Sequence, residues 1–251
     1  MAKIAVFDSG LGSLSIIKSI QKKIRAEIIY FADQDSFPYG TKPADELKKI
    51  IKATVRKLEE NFSPDLIVVA SNTPSLLLNP ERYSKIIGVY PPLKDAAKKT
   101  VTRTIAILAT KSVVKSRKLQ NYIRRQVPKG IKVITIDVSP LVDLVESGKF
   151  ISEKEFCKKK IRAILQPIQK KKIDVATLSS THLPFLLPML KSVFPNVTFL
   201  DPVDSVADKV VIFSKKKKSK RHTLKIFASG NTKDFQKKLQ KIGIRNKVLQ
   251  L

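Results

Sequence analysis

A single cysteine, Cys157, stands in this chain of 251 residues, so no internal disulfide framework can form and a reducing cytoplasm is the expected compartment. Histidine is nearly as scarce, with His182 and His222 the only two, and no cysteine or histidine cluster has metal-ligand spacing. No metal is expected. Gly10 and Gly12 lack the third glycine of a dinucleotide fingerprint, and there is no phosphate-binding Gly-Lys-Ser loop, so no cofactor is implied. No stretch approaches the ~18 apolar residues of a membrane span, and no secretory leader is read ahead of the first strand. A membrane is therefore not an expected partner.

Acidic residues are also in short supply. Twenty-one Asp and Glu face 49 Lys and Arg, a net charge of +28. Lysine supplies most of it, in runs at Lys158-Lys159-Lys160, Lys170-Lys171-Lys172 and Lys215-Lys216-Lys217-Lys218. A field of that sign draws in nucleic acid, acidic metabolites or anionic surfaces. The plainer reading is lysine as the default surface residue, because the runs are scattered and lack the interleaved aromatics of a strand-binding platform. The segment from Ser214 to Arg221 reads as a solvated loop.

What the chain does contain is one strand-and-turn pattern twice over. Leu66-Ile67-Val68-Val69-Ala70 runs into Ser71-Asn72-Thr73-Pro74 and a leucine run; Val175-Ala176-Thr177-Leu178-Ser179 runs into Ser180-Thr181-His182-Leu183-Pro184 and a second apolar run. Each copy reads as a buried parallel strand that ends in small hydroxyl residues and enters a helix. Ligands of open α/β sheets sit at the carboxyl ends of strands. Two such turns facing each other would meet one substrate from opposite sides, which suits chemistry at two faces of a single atom.

Further motifs surround the turns in order. Lys3-Ile4-Ala5-Val6-Phe7 leads into Asp8-Ser9-Gly10-Leu11-Gly12-Ser13, and Ile28-Ile29-Tyr30-Phe31-Ala32-Asp33 leads toward Pro38-Tyr39-Gly40-Thr41-Lys42. Gly88-Val89-Tyr90-Pro91-Pro92, Leu144-Val145-Glu146 and Thr181-His182 follow. The ordered series resembles glutamate racemase and the wider cofactor-independent aspartate/glutamate racemase family, from residue 3 to Phe235. The resemblance implies two similar doubly wound parallel-sheet α/β domains facing each other across a cleft, with the C-terminal segment returning to the first. That places a first domain at residues 1–96 plus 208–251 and a second at 97–207, with Phe227-Ala228-Ser229-Gly230 supporting the return.

Site roles come from the same resemblance. Ser71 and Ser180 occupy the two acid/base positions, Asp8 and His182 tune or orient them, and Glu146 assists on the His182 side. Ser9, Pro38, Tyr39, Gly40, Asn72, Thr73 and Thr181 form the pocket, their amides and hydroxyls receiving the carboxylates of a small acidic amino acid. Taken alone, Asp8 reads as a turn carboxylate capping the next helix, His182 as a satisfied polar residue in a first helical turn, and Tyr39 as packing beside Pro38. A second copy of the chain is left open as a partner.

The chain departs from that family where its turns carry cysteine: here both positions are serine, and Ser179 replaces the glycine before the second. A Cys-Pro pair near Glu146 is likewise Ser139-Pro140. Cys157 lies among lysines, away from every motif, and reads as a partly buried helix residue. A thiol ionises near pKa 8.5, whereas an alcohol lies closer to water, about 15.7. A gap of roughly 5–7 pKa units makes the alkoxide on the order of 7–10 kcal/mol harder to form. His182, with an unperturbed pKa near 6.5, could carry the proton directly on its side. Asp8 is the matching group on the other.

Three readings stay open from sequence: a glutamate or aspartate racemase with altered acid/base groups; a silent relative that binds an acidic amino acid or other carboxylate; and a basic protein that contacts nucleic acid nonspecifically, its old cleft vestigial. Strands are expected near residues 3–7, 27–32, 65–70, 86–89, 104–109, 131–136, 173–178, 197–200, 210–213 and 224–228. Helices are expected near 12–24, 43–60, 92–99, 112–126, 140–147, 152–166, 183–193 and 232–241.

Overall fold

In a computed structural model, residues 2–79, 85–214 and 222–251 are described. They divide into two units, Met1–Val89 with Val203–Leu251, and Tyr90–Pro202. The lysine run at 215–218, with the rest of the expected loop to Arg221, lies outside the described residues.

The first unit is built on a six-stranded sheet in the order β10-β9-β2-β1-β3-β4, every neighbouring pair parallel. Its strands are β1 (Lys3–Asp8), β2 (Glu27–Ala32), β3 (Leu66–Val69), β4 (Ile86–Gly88), β9 (Thr223–Ala228) and β10 (Val248–Gln250). The central strands are apolar end to end because a parallel sheet is covered on both faces. On one face lies α2 (Ala44–Phe62), whose Leu47, Ile51, Thr54 and Leu58 are buried at helical spacing. Its leucines and isoleucine join Ala5, Phe7, Phe31, Ile67 and Val69 in one core cluster, each such side chain contributing about 1.5–3 kcal/mol on burial. Asp45 and Glu46 in the first turn of α2 favour its positive end.

On α1 (Ser13–Lys23) rests α12 (Val203–Ser214). A strand was expected at residues 210–213; the structure has helix there. The Val-Val-Ile-Phe run carries strong strand propensity, but Val203, Val206, Ala207, Val210 and Ser214 are the buried positions, a helical period. Ile212 and Phe213 stay 65% and 43% exposed. Polar bonds lock the pair: Lys23 Nζ lies 2.7 Å from Asp208, and Ser19 donates to Asp204 at 2.7 Å.

The second unit carries a four-stranded parallel sheet, β6-β5-β7-β8, made of β5 (Thr104–Ala109), β6 (Lys132–Asp137), β7 (Val175–Ser179) and β8 (Thr198–Leu200). Its helices are shorter than expected. The segment 112–126 breaks into α5 (Lys111–Val114) and α6 (Arg117–Gln126), because Ser116 stops one and caps the other, accepting from the Leu119 amide at 3.1 Å. The 152–166 segment likewise resolves into α8 (Lys149–Ser152), α9 (Lys154–Ile164) and α10 (Gln166–Lys170), the last opening with Pro167. Cys157 is fully buried in α9, which raises its thiol pKa above the ordinary value.

The two sheets share one topological feature. In the first, the chain winds outward from β1 to β2 on one side and to β3 on the other; in the second, from β5 to β6 and to β7. Strand order reverses between β1 and β3 and again between β5 and β7. Those switch points open crevices at the carboxyl ends of the strands.

Candidate functional site

Most of the side chains singled out in the sequence lie at or beside those two switch points. In the first unit, β1 ends at Asp8, and the Ala70 amide donates to the Phe7 carbonyl at 2.8 Å, so Ser71 follows directly at the neighbouring strand end. Asp8 accepts from the Ser9 amide at 2.7 Å. α1 starts behind Gly12, which has no side chain with which to cap it. Asp8, Ser9, Ser71, Asn72 and Thr73 are all buried, between 2% and 8% exposed.

Ser71 sits at the N-cap of α3 (Asn72–Leu78) with extended backbone, where a serine hydroxyl ordinarily accepts from the second or third helical amide. Here no side-chain capping bond forms, and the Ser71 hydroxyl makes no hydrogen bond among the described residues. Its carbonyl accepts from Ser75 at 2.7 Å, and the Ser75 oxygen in turn accepts from the Val89 amide at 2.8 Å, so the turn is held from behind. Asn72 donates from Nδ2 to the Val89 carbonyl at 3.2 Å while its Oδ1 is buried without a partner. An orphaned acceptor costs about 1–3 kcal/mol, which a bound donor such as an ammonium would relieve.

The turn from Pro38 to Thr41 completes this half. Pro38 and Gly40 are half-buried. Tyr39 packs its ring into the core cluster, 2% exposed, while its backbone amide donates to Ser9 Oγ at 3.4 Å. The Tyr39 hydroxyl donates to Asp33 at 2.8 Å. Burial first, then the negative charge of Asp33, pushes its pKa well above the usual tyrosine value, so it stays a neutral donor.

In the second unit, β7 ends at Ser179, whose Oγ lies 2.9 Å from Thr177 Oγ1. Ser180 follows, 5% exposed, its hydroxyl also without a hydrogen bond among the described residues. Thr181 and His182 are next, and His182 Nε2 meets Glu146 Oε1 at 2.8 Å, both side chains 7% exposed. Glu146 reaches that position from the last turn of α7 (Ser139–Glu146). The helix starts where it does because Asp137, at the end of β6, accepts from both the Ser139 amide and hydroxyl at 2.9 and 2.7 Å. Such a dyad holds the imidazole in one orientation and selects its tautomer, as an acid/base group requires.

Two polar residues at the same strand ends were not foreseen. Thr110 follows β5, and the pairing of Ala109 with Ser179 places it level with Ser180. Asp33 follows β2 and is 6% exposed. Thr110 belongs to no motif read from the sequence, and Asp33 closes the Ile28–Asp33 strand motif without having been read as a site residue; register exposes the first and its hydrogen bonds the second. Among the described residues no group of three or more His, Cys, Asp and Glu could hold a metal ion, and no helix is long and apolar enough to cross a membrane.

Comparison with known proteins agrees with this arrangement. The glutamate racemase of Proteus mirabilis is 36% identical over 203 residues, 78% of this chain and 69% of that one. That of Glaesserella parasuis is 32% identical over 215 residues, 83% and 79% of the two chains. Escherichia coli glutamate racemase, solved in complex with L-glutamate and an activator, superposes with a TM-score of 0.85 at 25% identity, covering 100% of this chain and 98% of that one. The Bacillus anthracis enzyme, at 24% identity and a TM-score of 0.86, shares the fold. The Asp/Glu/hydantoin racemase model matches residues 4–210. With the paired parallel sheets and their strand-end turns, these matches establish that the chain belongs to the Asp/Glu/hydantoin racemase family.

Proposed function

We propose that this protein interconverts L- and D-glutamate, without a cofactor, by proton transfer on two sides of the α-carbon. The observation that supports it most is the doubled strand-end site: Asp8 and Ser71 at one switch point, Ser180 with the His182–Glu146 pair at the other. Both relatives quoted above at more than 30% identity are glutamate racemases, which favours glutamate over aspartate.

Serine at residues 71 and 180 directs the proton route. An alkoxide costs several kcal/mol more than a thiolate, so neither hydroxyl serves well as the base itself. We assign proton abstraction and return to His182 on one side, with Glu146 orienting and stabilising the imidazolium, and to Asp8 on the other. The serine hydroxyls, uncommitted within the fold, then relay a proton or hydrogen-bond the carbanion. Two-sided transfer requires both half-sites to reach one α-carbon. Asn72 Oδ1, orphaned in its pocket, would accept from the substrate ammonium.

The loss of both thiols favours a second reading, in which the protein binds an acidic amino acid and does not turn it over. Chiral analysis of glutamate after incubation with the purified protein, beside a thermal-shift titration with D- and L-glutamate and aspartate, separates the two. Appearance of the opposite enantiomer supports the racemase. A shift without inversion supports the silent binder, since a ligand that binds only the native state raises its stability. Neither inversion nor a shift at tens of millimolar, with clean controls, sinks both.

A further inference from the structure

Asp33 is a buried carboxylate with no cation beside it among the described ion pairs, held entirely by neutral hydroxyls from three separate elements. Tyr39 in the Pro38–Thr41 turn donates to Oδ2 at 2.8 Å, Thr54 on α2 donates to the same oxygen at 3.4 Å, and Ser229 behind β9 donates to Oδ1 at 3.3 Å. Its backbone amide donates to the Asp8 carbonyl at 2.8 Å. The next residue, Gln34, donates from its side chain to the Ser9 carbonyl at 2.5 Å. Burying an unpaired charge is expensive, and a carboxylate that accepts three hydroxyl bonds can be retained only where all three donors are held in place. The site therefore fixes its donors as much as they fix it. Gly230 adds to the constraint: at φ 70 it packs so closely that a Cβ would fall 2.7 Å from Asp35 Oδ1.

We infer that Asp33 is a positioning residue of the acid/base site: it anchors the Tyr39 hydroxyl, and through the Tyr39 amide and Ser9 it fixes where the Asp8 carboxylate points. The path is continuous, from Asp33 to the Tyr39 hydroxyl, from the Tyr39 amide to Ser9 Oγ, and from the Ser9 amide to Asp8 Oδ1. The raised pKa of Tyr39 keeps its proton available for the anchor. Asp33 reaches no reacting group; it acts through Tyr39 and Ser9. This role rests on the reading of Asp8 as a proton carrier.

The test uses the full chain and two variants, Asp33→Asn and Tyr39→Phe. The asparagine is nearly isosteric but loses the negative charge and one acceptor oxygen, so the anchor on the Tyr39 hydroxyl is weakened. Amide hydrogen exchange, followed without ligand, should speed up at least about tenfold at Ser9, Tyr39 and Lys42 in both variants while the amides of β5 keep their protection. In α-proton exchange on glutamate, Asp33→Asn should lower kcat on the order of 10–100-fold with a much smaller change in KM, as expected of misplacement. The double variant should be no worse than Asp33→Asn alone, since both cut one path. Unchanged protection at Ser9 and Tyr39 in a folded Asp33→Asn protein overturns the inference. If Asp33→Asn fails to fold, Tyr39→Phe, which leaves Asp33 its Thr54 and Ser229 donors, decides by the same amides. If the wild type exchanges no α-proton, the racemase reading fails, yet the amide measurement still decides the role of Asp33.

Discussion

Residues 71 and 180 carry serine hydroxyls at strand-end turns, where a thiol would ionise far more readily than an alcohol. Neither hydroxyl is drawn into a hydrogen bond, although Ser71 occupies an N-cap that invites one. A hydroxyl left uncommitted in this way should be replaceable by a thiol. The double change Ser71→Cys and Ser180→Cys is expected to raise α-proton exchange on glutamate by at least about 100-fold, since each 1.36 kcal/mol removed from the barrier is tenfold in rate. Either cysteine alone should help less, because the opposite face still lacks its partner. Exchange in deuterated water, read by the loss of the α-proton signal, measures this. A folded double variant that stays inert would mean the pockets themselves have diverged. Most of these residues were legible in sequence, because small hydroxyls directly after a buried apolar strand mark a ligand-facing turn. Asp33 was not read as a site residue: it closes the Ile28–Asp33 strand motif, five residues before Pro38, and only folding brings Tyr39, Thr54 and Ser229 onto it.

Strands and helices were legible in proportion to how far burial dictated them. The inner strands β1, β2, β3, β5 and β7 are covered on both faces and read as continuous apolar runs. Edge strand β10 is three residues with one buried, too short to show a period. The helix α12 was hidden by its own valines, whose strand propensity is overridden by packing on α1. Between α4 (Leu93–Lys99) and β5, a loop with no helical or strand pattern is pinned by one carboxylate. Asp174 accepts from Thr100 Oγ1 at 2.6 Å, the Val101 amide at 2.6 Å and the Thr102 hydroxyl and amide at 2.8 and 3.1 Å. Partial burial pushes its pKa up, but those four bonds outweigh it and hold the carboxyl below its ordinary value. A depressed folded pKa means its stabilisation is complete above the unfolded value, about 4, and is lost as pH falls below that. Asp174→Asn should therefore lower Tm more at pH 7 than at a pH well below 4, a convergence that differential scanning calorimetry can read. An equal deficit at both pH values would show that the ionised carboxylate is not what pins the loop.

Charge is the property that belongs to the whole molecule. No aspartate or glutamate occurs between Asp95 and Asp137, and within that stretch α6 exposes Arg117, Lys118, Arg124 and Arg125. Lysine runs recur elsewhere in scattered places; beside the run at Lys158-Lys159-Lys160, the Phe156 ring is covered by Lys149 and Lys160, so this face too reads as a solvated basic shell more than a built stacking groove. Nucleic-acid association is expected to be weak, indifferent to sequence and abolished by modest salt, as counterion release requires. Fluorescence anisotropy with unrelated oligonucleotides across a salt series checks it; tight, sequence-selective binding at physiological salt would contradict it. The central claim is that glutamate is inverted by proton transfer on two sides of its α-carbon, with Asp8 and His182 as the two proton carriers. Proton washout from L- and from D-glutamate in deuterated water, measured by proton NMR for wild type, Asp8→Asn and His182→Asn, addresses it most directly. The account predicts washout from both enantiomers in wild type, and loss of inversion in each variant. It further predicts that each variant loses washout from one enantiomer only, the two variants losing opposite ones. No washout in wild type, or variants that both retain wild-type rates with both enantiomers, would contradict it.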